Sequence, residues 1–212
     1  MVAPFCAVAQ RRRIIHVFSG LPMLLSTRVV AYIINGLWGI FVVYWMLNAF
    51  GNKKTVYRQI HWTLALYLAI SMVFFKAVLH VPSLRMRILP HTLAVQAGGI
   101  LFCAAGIGLS IWARRVLGTN WSGIPTLKEG HELTREGPYR WLRHPIYTGL
   151  LLAAAGTVMA LAPTLGGLAL VLYMGIAMRL KSLREEKILL RQFPVEYAAY
   201  RREVKALIPF LY

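Results

Sequence analysis

The chain has 212 residues, of which 58% are hydrophobic, and its mean hydropathy is +0.58. It carries 24 Lys and Arg against 7 acidic residues, for a formal net charge of +17; all the acids are Glu, and none precedes residue 129. Long uncharged stretches at this hydropathy exclude a soluble globular domain. The absence of Asp excludes every mechanism that needs an Asp to orient a catalytic group, to bind a metal or to act as a Walker B acid.

Residues 1–28 form a basic N-terminal segment. Its apolar part precedes Arg11, Arg12 and Arg13, which is the reverse of the order in a secretory signal, so we interpret it as a retained segment. Residues 14–26 are too short to span a membrane and are expected to lie in the interface or to re-enter the bilayer. The side of the membrane on which the N-terminus lies is left open.

Three membrane spans are predicted within residues 29–113. Residues 29–51 are uncharged, and at about 1.5 Å per residue they cross a hydrocarbon core of about 30 Å. Residues 59–84 are apolar apart from one Lys and two His, and residues 88–113 carry no formal charge. Because these spans contain no carboxylate, we expect them to be a scaffold that also offers a lipid access route.

The uncharged stretch of residues 145–178 predicts a helical hairpin. A straight helix of this length would measure about 51 Å, which is too long for one span. Pro163, Gly166 and Gly167 interrupt it near its middle, so two short spans joined by a tight turn fit the pattern better. The predicted fold is therefore an all-α membrane bundle of about five spans, followed by a helical tail.

The C-terminal tail is basic and amphipathic. From Leu183 to Leu207 its apolar side chains recur at spacings of three, four and seven, which predicts a helix on the surface of the protein or of the membrane. Pro194 lacks a backbone N–H, so one helix is expected to end near Gln192 and another to include Pro194 in its first turn.

The charges of the loops predict the orientation. Residues 53–58, residues 114–143 and the tail are basic and fall on one face of a five-span bundle, and the uncharged Pro163 turn falls on the other. The positive-inside rule makes the basic face cytoplasmic, and in a bacterium the membrane would be the inner one. The cations are spread over every loop without a stacking platform, so we expect them to attract anionic lipids and not nucleic acid.

Reactive side chains concentrate between the third and fourth spans. Residues 131–147 contain two His, two Glu, three Arg and two Tyr, with a turn at Gly137-Pro138. Pro145 suits the first turn of the next helix, which places His144 at the helix start, where free N–H groups and the positive dipole end bind an anionic group. Singly, the Arg and aromatic residues are explained as interface anchors; together, opposite an acidic cluster, they indicate a site.

The acidic cluster contains Lys181, Glu185 and Glu186, where the last span emerges. Adjacent carboxylates on a helix point about 100° apart, so the two Glu are not expected to form one paired acid, whereas Lys181 and Glu185 share a face. Two interpretations are open. One is a surface ion pair, and the other is a site in which one Glu faces a cationic ligand and Lys181 faces an anionic one.

These two clusters resemble the isoprenylcysteine carboxyl methyltransferase family. The resemblance covers the C-terminal half of the chain. That family is grouped with the phospholipid N-methyltransferases among integral membrane enzymes that use S-adenosylmethionine. The matching motifs are Arg143-His144-Pro145-x-Tyr147-x-Gly149, preceded by His131-x-Leu133 and Gly137-x-Tyr139, and Glu185-Glu186-x-x-Leu189, followed by Phe193-x-x-x-Tyr197-x-x-Tyr200.

The resemblance implies a methyltransferase that uses S-adenosylmethionine, has no metal, and acts on a small lipophilic acceptor that is isoprenylcysteine carboxylate-like or lipid-like. Residues 114–212 would then comprise the catalytic loop, the hairpin and the cofactor-binding tail. The family's cofactor-binding positions fall on His131, Glu132, Leu133, Thr134, Tyr139, His144, Pro145, Ile146 and Tyr147. Its catalytic and substrate-side positions fall on Arg143, Lys181, Glu185 and Glu186.

Two features of the match leave alternatives open. The family commonly has Arg where this chain has Lys181, and Arg binds a carboxylate through two parallel hydrogen bonds whereas Lys offers a point charge. The acceptor is therefore undetermined: a carboxylate or thiolate needs no base, whereas an amine or hydroxyl would need Glu185 or Glu186. A Gly-x-Gly of the phospholipid methyltransferases is matched by Gly106-Ile107-Gly108, a pattern that also serves helix packing.

Two other classes of function are alternatives. Membrane sterol reductases share a similar His-Pro-x-Tyr loop and use NADPH, but the Glu185-Glu186 pair does not match their pattern. A non-catalytic scaffold that binds anionic lipid explains the basic loops but not the clustering of the acids. Binding of the two cofactors distinguishes the three classes, and the sequence makes no prediction of the oligomeric state.

Overall fold

The computed structural model describes residues 25–48, 69–73, 76–77, 80–118 and 133–207, together with the backbone of residues 55–58 and 126–128. The described chain is predominantly helical, as predicted. Its elements in chain order are α1 (Thr27–Leu47), β1 (Thr55–Arg58), a 3₁₀ helix (Pro82–Arg85), α2 (Leu93–Leu117), β2 (Thr126–Lys128), a second 3₁₀ helix (Gly137–Arg140), α3 (Pro145–Leu161), α4 (Leu165–Gln192) and α5 (Glu196–Glu203).

Among the described residues, three helices, α1, α2 and α4, are long and apolar enough to cross a membrane, in agreement with the predicted integral membrane protein. α1 and α2 correspond to the first and third predicted spans, and α2 continues as far as Leu117. Most of the predicted second span, residues 59–84, and residues 1–24 lie outside the described residues. The count of five spans and the placement of the N-terminal segment therefore stay predictions. At the end of the second span the chain is not α-helical, because a 3₁₀ helix begins at Pro82.

α3 and α4 form the predicted helical hairpin. Ala162 and Pro163 separate the helices, and Thr164 caps α4 by accepting a hydrogen bond from the N–H of Gly167 at 3.1 Å. α3 has 17 residues, whereas α4 has 28 and measures about 42 Å, which exceeds a hydrocarbon core of about 30 Å. The last turns of α4 therefore stand at or beyond the membrane boundary.

Glycines bring α2 and α3 into direct backbone contact. The helices run antiparallel, with Gly99 opposite Gly156. Seven residues along each helix, Gly106 lies opposite Gly149. A Cβ added at any of these positions would collide with the backbone of the facing helix. Small residues spaced by seven on both helices thus allow the close approach that is common between membrane helices.

The two glycines of Gly106-Ile107-Gly108 face different environments. Gly106 lies in the contact with α3, whereas nothing lies within 4 Å of a Cβ placed on Gly108, which is exposed. Gly106 therefore has a packing role. Gly108 is on the outer face of α2, away from the helix contact.

α1 packs against the α2–α3 pair. Its Val30 and Ile34 are buried in one cluster with Cys103 of α2. Trp38 of α1 donates a hydrogen bond from Nε1 to Oγ1 of Thr157 at 3.0 Å, which joins α1 to α3. The core of the bundle therefore lies among these three helices, and α4 is less enclosed.

The connecting segments lie at two ends of the bundle, and the basic residues Arg85 and Arg87 lie at the same end as the Pro163 turn. β1 pairs with β2 in an antiparallel sheet at one end. At the other end, the N–H of Ile88 donates to the carbonyl of Pro163 at 2.8 Å, and that of Leu165 donates to Met86 at 2.9 Å. The β1–β2 pair is an addition to the predicted all-α fold, because strands of four and three residues are too short to show a hydrophobic alternation.

The C-terminal tail is folded onto the protein. α4 ends at Gln192, as predicted, but α5 begins at Glu196, beyond Pro194 and not around it. Tyr197 and Tyr200 of α5 are buried, with only 1% and 3% of their surface exposed. Of the two predicted placements, the tail takes the one on the protein surface. The two tyrosines form a buried cluster with Val204, and the side chains that pack against this cluster are Leu133, Leu189, Leu190 and Phe193.

Candidate active site between the loop, the hairpin and the tail

One glycine and two prolines shape the loop before α3. Gly137 has a φ of 55°, a left-handed conformation that favours glycine, and a Cβ there would press against the side chain of Val116. Pro138 lies in the first turn of the second 3₁₀ helix, and Pro145 lies in the first turn of α3. His144 therefore lies at the start of α3, as predicted.

The imidazole of His144 lies between two adjacent carboxylates of α4. Its Nδ1 is 3.6 Å from Oε2 of Glu185, and its Nε2 is 3.3 Å from Oε1 of Glu186. Neighbouring side chains on a helix diverge by about 100°, so a ring brought in by another segment can be contacted from both sides. One residue of the loop is thereby joined to both predicted acids.

Glu186 is buried among cationic groups. Only 2% of its side chain is exposed. Its Oε1 is 3.3 Å from Nη2 of Arg143 and 3.9 Å from Nη1 of Arg179, and its Oε2 is 3.5 Å from Nε of Arg201. Burying an unpaired carboxylate is strongly unfavourable, so these ion pairs explain how Glu186 can be buried. They also join the loop, α4 and the tail at one point.

Glu185 lies on the more open side of the same ring, with 19% of its side chain exposed. It accepts a hydrogen bond from Oη of Tyr147 at 2.6 Å. The ring of Tyr147 stacks on that of His144, with centroids 5.5 Å apart, and Nζ of Lys181 lies 5.2 Å from the Tyr147 centroid. Glu185 and Lys181 therefore flank one aromatic ring with opposite charges, which suits a ligand that carries both a cationic and an anionic group.

Main-chain hydrogen bonds attach the tail to the loop before α3. The N–H of Arg143 donates to the carbonyl of Lys205 at 2.8 Å, and the N–H of His144 donates to that of Ala206 at 3.1 Å. The N–H of His144 is therefore used by the tail and is not free to bind a ligand anion. The sequence predicted that free N–H groups at the start of α3 bind an anionic group. For the N–H of His144 this is wrong, because the tail accepts its hydrogen bond.

A buried phenol also joins the tail to the loop. Oη of Tyr200 donates to the carbonyl of Tyr139 at 2.6 Å. Arg135 lies over the ring of Tyr200, 5.2 Å from its centroid, and donates to the carbonyl of Glu196. Burial raises the pKa of the Tyr200 phenol, so this hydroxyl remains a donor at every ordinary pH.

Replacing Tyr200 by Phe is expected to lower the free energy of unfolding by about 1–3 kcal/mol, because the carbonyl of Tyr139 loses a buried donor. Tyr197 is the matched control. It is buried on the same helix, but among the described residues its hydroxyl has no hydrogen-bond partner, so Tyr197→Phe should be neutral or stabilising. Thermal unfolding in detergent compares the two variants, and equal melting temperatures would contradict the role given to Tyr200.

Several predicted cofactor positions lie away from the cluster around His144. Tyr139 and Ile146 are buried against α2, where they support the loop from the scaffold side. Leu133 packs against α5, and Thr134 is half-buried. The assignment of these residues to the cofactor stays a prediction. Two predicted positions lie outside the described residues, namely His131 and Glu132.

Two cations of the cluster were not predicted as site residues. Arg201 lies in the basic tail, where nothing in the sequence distinguishes it from Arg202. Arg179 lies two helical turns before Glu186 on α4 and faces its carboxylate. In a chain with 24 Lys and Arg, spacing alone does not show which cation meets a buried acid.

A groove of about 570 Å³ opens on the outer face of α2. Its surface is mainly apolar. It does not include the charged cluster around His144, which is formed by Arg143, Arg179, Glu185, Glu186 and Arg201. Trp112 at the groove contacts Trp141 of the loop edge-on, with centroids 6.0 Å apart. The groove therefore suits a hydrocarbon chain better than a nucleoside. It is lined by Gly108, Ile111, Trp112, Arg115 and Val116.

Comparisons with known sequences agree with one another. The phospholipid methyltransferase family model matches residues 94–196. The protein-S-isoprenylcysteine O-methyltransferase of Saccharomyces cerevisiae is 34% identical over 135 residues, which cover 59% of this chain and 55% of that protein. The enzyme of the same name from Homo sapiens is 29% identical over 115 residues, which cover 53% of this chain and 40% of that protein.

The fold leads to the same group of proteins. A solved structure of a eukaryotic intramembrane Ras methyltransferase, an isoprenylcysteine carboxyl methyltransferase, matches with a TM-score of 0.52 at 26% identity and covers 72% of this chain and 54% of that one. The chain spans about half the length of the relatives it matches. By sequence and by fold, the chain therefore resembles the isoprenylcysteine carboxyl methyltransferases, as the motifs around His144 and Glu185 indicated.

Proposed function

We propose that the chain is an integral membrane methyltransferase that takes a methyl group from S-adenosylmethionine and transfers it to a small lipophilic acceptor, isoprenylcysteine carboxylate-like or lipid-like. The observation that carries the proposal is the meeting of His144 and Tyr147 with Glu185 and Lys181. Both motif segments of the methyltransferase-like region thus contribute to one cluster. When bound, S-adenosylmethionine supplies a methyl group activated by its sulfonium centre.

The charges of the cluster fit this cofactor. S-adenosylmethionine carries an ammonium and a sulfonium together with a carboxylate. Glu185 would contact the cationic part and Lys181 the carboxylate, on either side of Tyr147. Among the described residues, the buried Nε of Arg143 has no hydrogen-bond partner, so it is a further donor for an anionic group.

Methyl transfer depends mainly on the alignment of the methyl donor with the acceptor. Methyl transfer from a sulfonium is an in-line displacement, which is accelerated by positioning the donor and acceptor and by excluding water. The stacked rings of His144 and Tyr147 order one wall of the site, and the tail closes the loop behind them. If the acceptor is an amine or hydroxyl, Glu185 is the candidate base, because Glu186 is enclosed by guanidinium groups.

We place the cluster at the cytoplasmic boundary of the membrane. Glu185 lies about 30 Å along α4 from Leu165, which is one hydrocarbon thickness from the Pro163 turn. β2, in a basic loop, contacts α4, and the positive-inside rule makes that end cytoplasmic. An apolar acceptor would approach from the bilayer, and the groove on α2 offers an apolar surface beside the loop.

Titration of the detergent-solubilised protein with S-adenosylmethionine tests the proposal. We expect saturable binding of S-adenosylmethionine and none of NADPH. Lys181→Ala and Glu185→Gln should each weaken binding by about tenfold or more, since a hydrogen bond to a charged group contributes about 1.5–3 kcal/mol. Lys187→Ala, an exposed change on the same helix, is the control and should leave binding unchanged.

The opposite results have distinct meanings. Saturable binding of NADPH alone would indicate a reductase, and binding of neither cofactor would indicate a lipid-binding scaffold. The acceptor is identified by incubating the protein with a membrane extract and methyl-labelled S-adenosylmethionine, followed by mass spectrometry. Label found only in water-soluble products would contradict a lipophilic acceptor.

A further inference from the structure

The described part of the tail contributes the side chain of Arg201 to the charged cluster around Glu186. Nε of Arg201 lies 3.5 Å from Oε2 of Glu186, and the carbonyl of Arg201 accepts a hydrogen bond from Nη1 of Arg143 at 3.5 Å. The side chain of Glu186 is 2% exposed, whereas that of Arg201 is 48% exposed. Arg201 therefore covers a buried carboxylate from the outside.

A continuous series of contacts runs from Arg201 to the side of the cluster that faces the proposed ligand. Glu186 contacts Arg201 through Oε2 and Nε2 of His144 through Oε1, at 3.3 Å. The ring of His144 stacks on that of Tyr147, and Tyr147 donates to Glu185 at 2.6 Å. The position of Glu186 thus affects the support of both Tyr147 and Glu185.

We propose that Arg201 is a positioning residue of the cofactor site. Its guanidinium fixes the carboxylate of Glu186, and through Glu186 and His144 it fixes Tyr147 and Glu185, without touching the ligand itself. The inference rests on the proposed function, because it assigns the ligand to the side of the cluster that carries Glu185. It gives a role to a residue that lies outside the motifs of the sequence.

The role of the Arg201 side chain is separable from the attachment of the tail. Backbone hydrogen bonds of residues 205–206 and the bond from Tyr200 to Tyr139 hold the tail without this side chain. Among the described residues, Arg201 supplies the ion-pair contact of Oε2 of Glu186. Removing its guanidinium should therefore disturb the cluster while the fold and the tail stay in place.

Three variants test the proposal: Arg201→Gln, Arg201→Lys and, as the control, Arg202→Gln. Arg202 is exposed on the same helix and carries the same charge, so the control removes the effect of net charge. We expect Arg201→Gln to raise the dissociation constant for S-adenosylmethionine about tenfold, Arg201→Lys to restore most of the affinity, and Arg202→Gln to bind like the wild type. Equal affinities for Arg201→Gln and Arg202→Gln would overturn the proposal.

A double variant tests whether Arg201 acts through Glu186. If it does, adding Arg201→Gln to Glu186→Gln should weaken binding no further than Glu186→Gln alone, since the two changes remove the same contact. Additive losses would show that Arg201 acts by another route, and would overturn the positioning role. Where Glu186→Gln binds too weakly to measure, the same comparison uses hydrogen exchange.

Hydrogen exchange separates this inference from the proposed function. In the absence of any ligand, Arg201→Gln should increase amide exchange in residues 143–148 at least threefold relative to Arg202→Gln, with the melting temperature nearly unchanged. If the wild type binds no S-adenosylmethionine, the proposed function fails while the exchange result still decides whether Arg201 orders the loop. Unchanged exchange, or a loss of melting temperature without any local change, would contradict the proposal.

Discussion

Glu186→Gln is expected to destabilise the protein by about 3–5 kcal/mol and to weaken binding of S-adenosylmethionine by about tenfold or more. The amide keeps the shape of the side chain but removes the negative charge, which leaves the buried guanidinium of Arg143 without its partner. Arg179 and Arg201 also lose the carboxylate that draws the hairpin and the tail to the loop. Thermal unfolding in detergent should show a melting temperature lower by about 10 °C.

Glu185→Gln is the matched control for that variant. Glu185 is the adjacent residue, but 19% of its side chain is exposed and it contacts the loop through Tyr147 and His144. A Gln at this position still accepts the hydrogen bond of Tyr147, so we expect a change in melting temperature of only a few degrees together with weaker binding. If the two variants melt at the same temperature, the assignment of Glu186 to the framework and Glu185 to the ligand is wrong.

The elements that depend on local chain chemistry could be predicted from the sequence. The hairpin turn follows from Pro163 and the two glycines after it in an uncharged stretch too long for one span. The position of His144 at the start of α3 follows from Pro145, which fits the first turn of a helix and little else inside one. Such signals act over a few residues and need no knowledge of the fold.

The geometry of the candidate site could not be predicted in the same way. Because Glu185 and Glu186 diverge along the helix, the sequence predicts that they do not form one paired acid. The ring that contacts both is supplied by a segment about forty residues earlier. Arg201 is half-exposed and lies among other basic residues, so its contact with Glu186 arises only when the tail folds back. The sequence therefore indicates which residues carry chemistry, and tertiary packing decides which of them meet.

The pattern Gly106-Ile107-Gly108 shows how the same residue type can have two meanings. A Gly-x-Gly pattern resembles part of a cofactor site and also resembles a helix contact. Only the position of α3 separates the two glycines, since Gly106 meets its backbone and Gly108 does not. The sequence alone could not assign different roles to the two glycines, because the helix that distinguishes them, α3, lies some forty residues further along the chain.

Gly106→Ala is expected to lower the free energy of unfolding by about 1–3 kcal/mol or more, and Gly108→Ala to be neutral or stabilising by up to about 1 kcal/mol. A methyl group at Gly106 would overlap the backbone of Gly149 and Ala153, and backbone atoms of a packed helix cannot turn aside as a flexible side chain can. At Gly108 nothing lies within 4 Å of the added Cβ, so the variant gains only the higher helix propensity of Ala.

Melting temperatures and S-adenosylmethionine affinities of the two glycine variants should be measured together. Separation of α2 from α3 moves Ala113 away from Tyr139 and Ile146, so the loss of stability in Gly106→Ala should be accompanied by weaker binding. Gly108→Ala should retain both. Loss of binding in Gly108→Ala at an unchanged melting temperature would instead place the cofactor against the outer face of α2, and the packing explanation of the motif would then be insufficient.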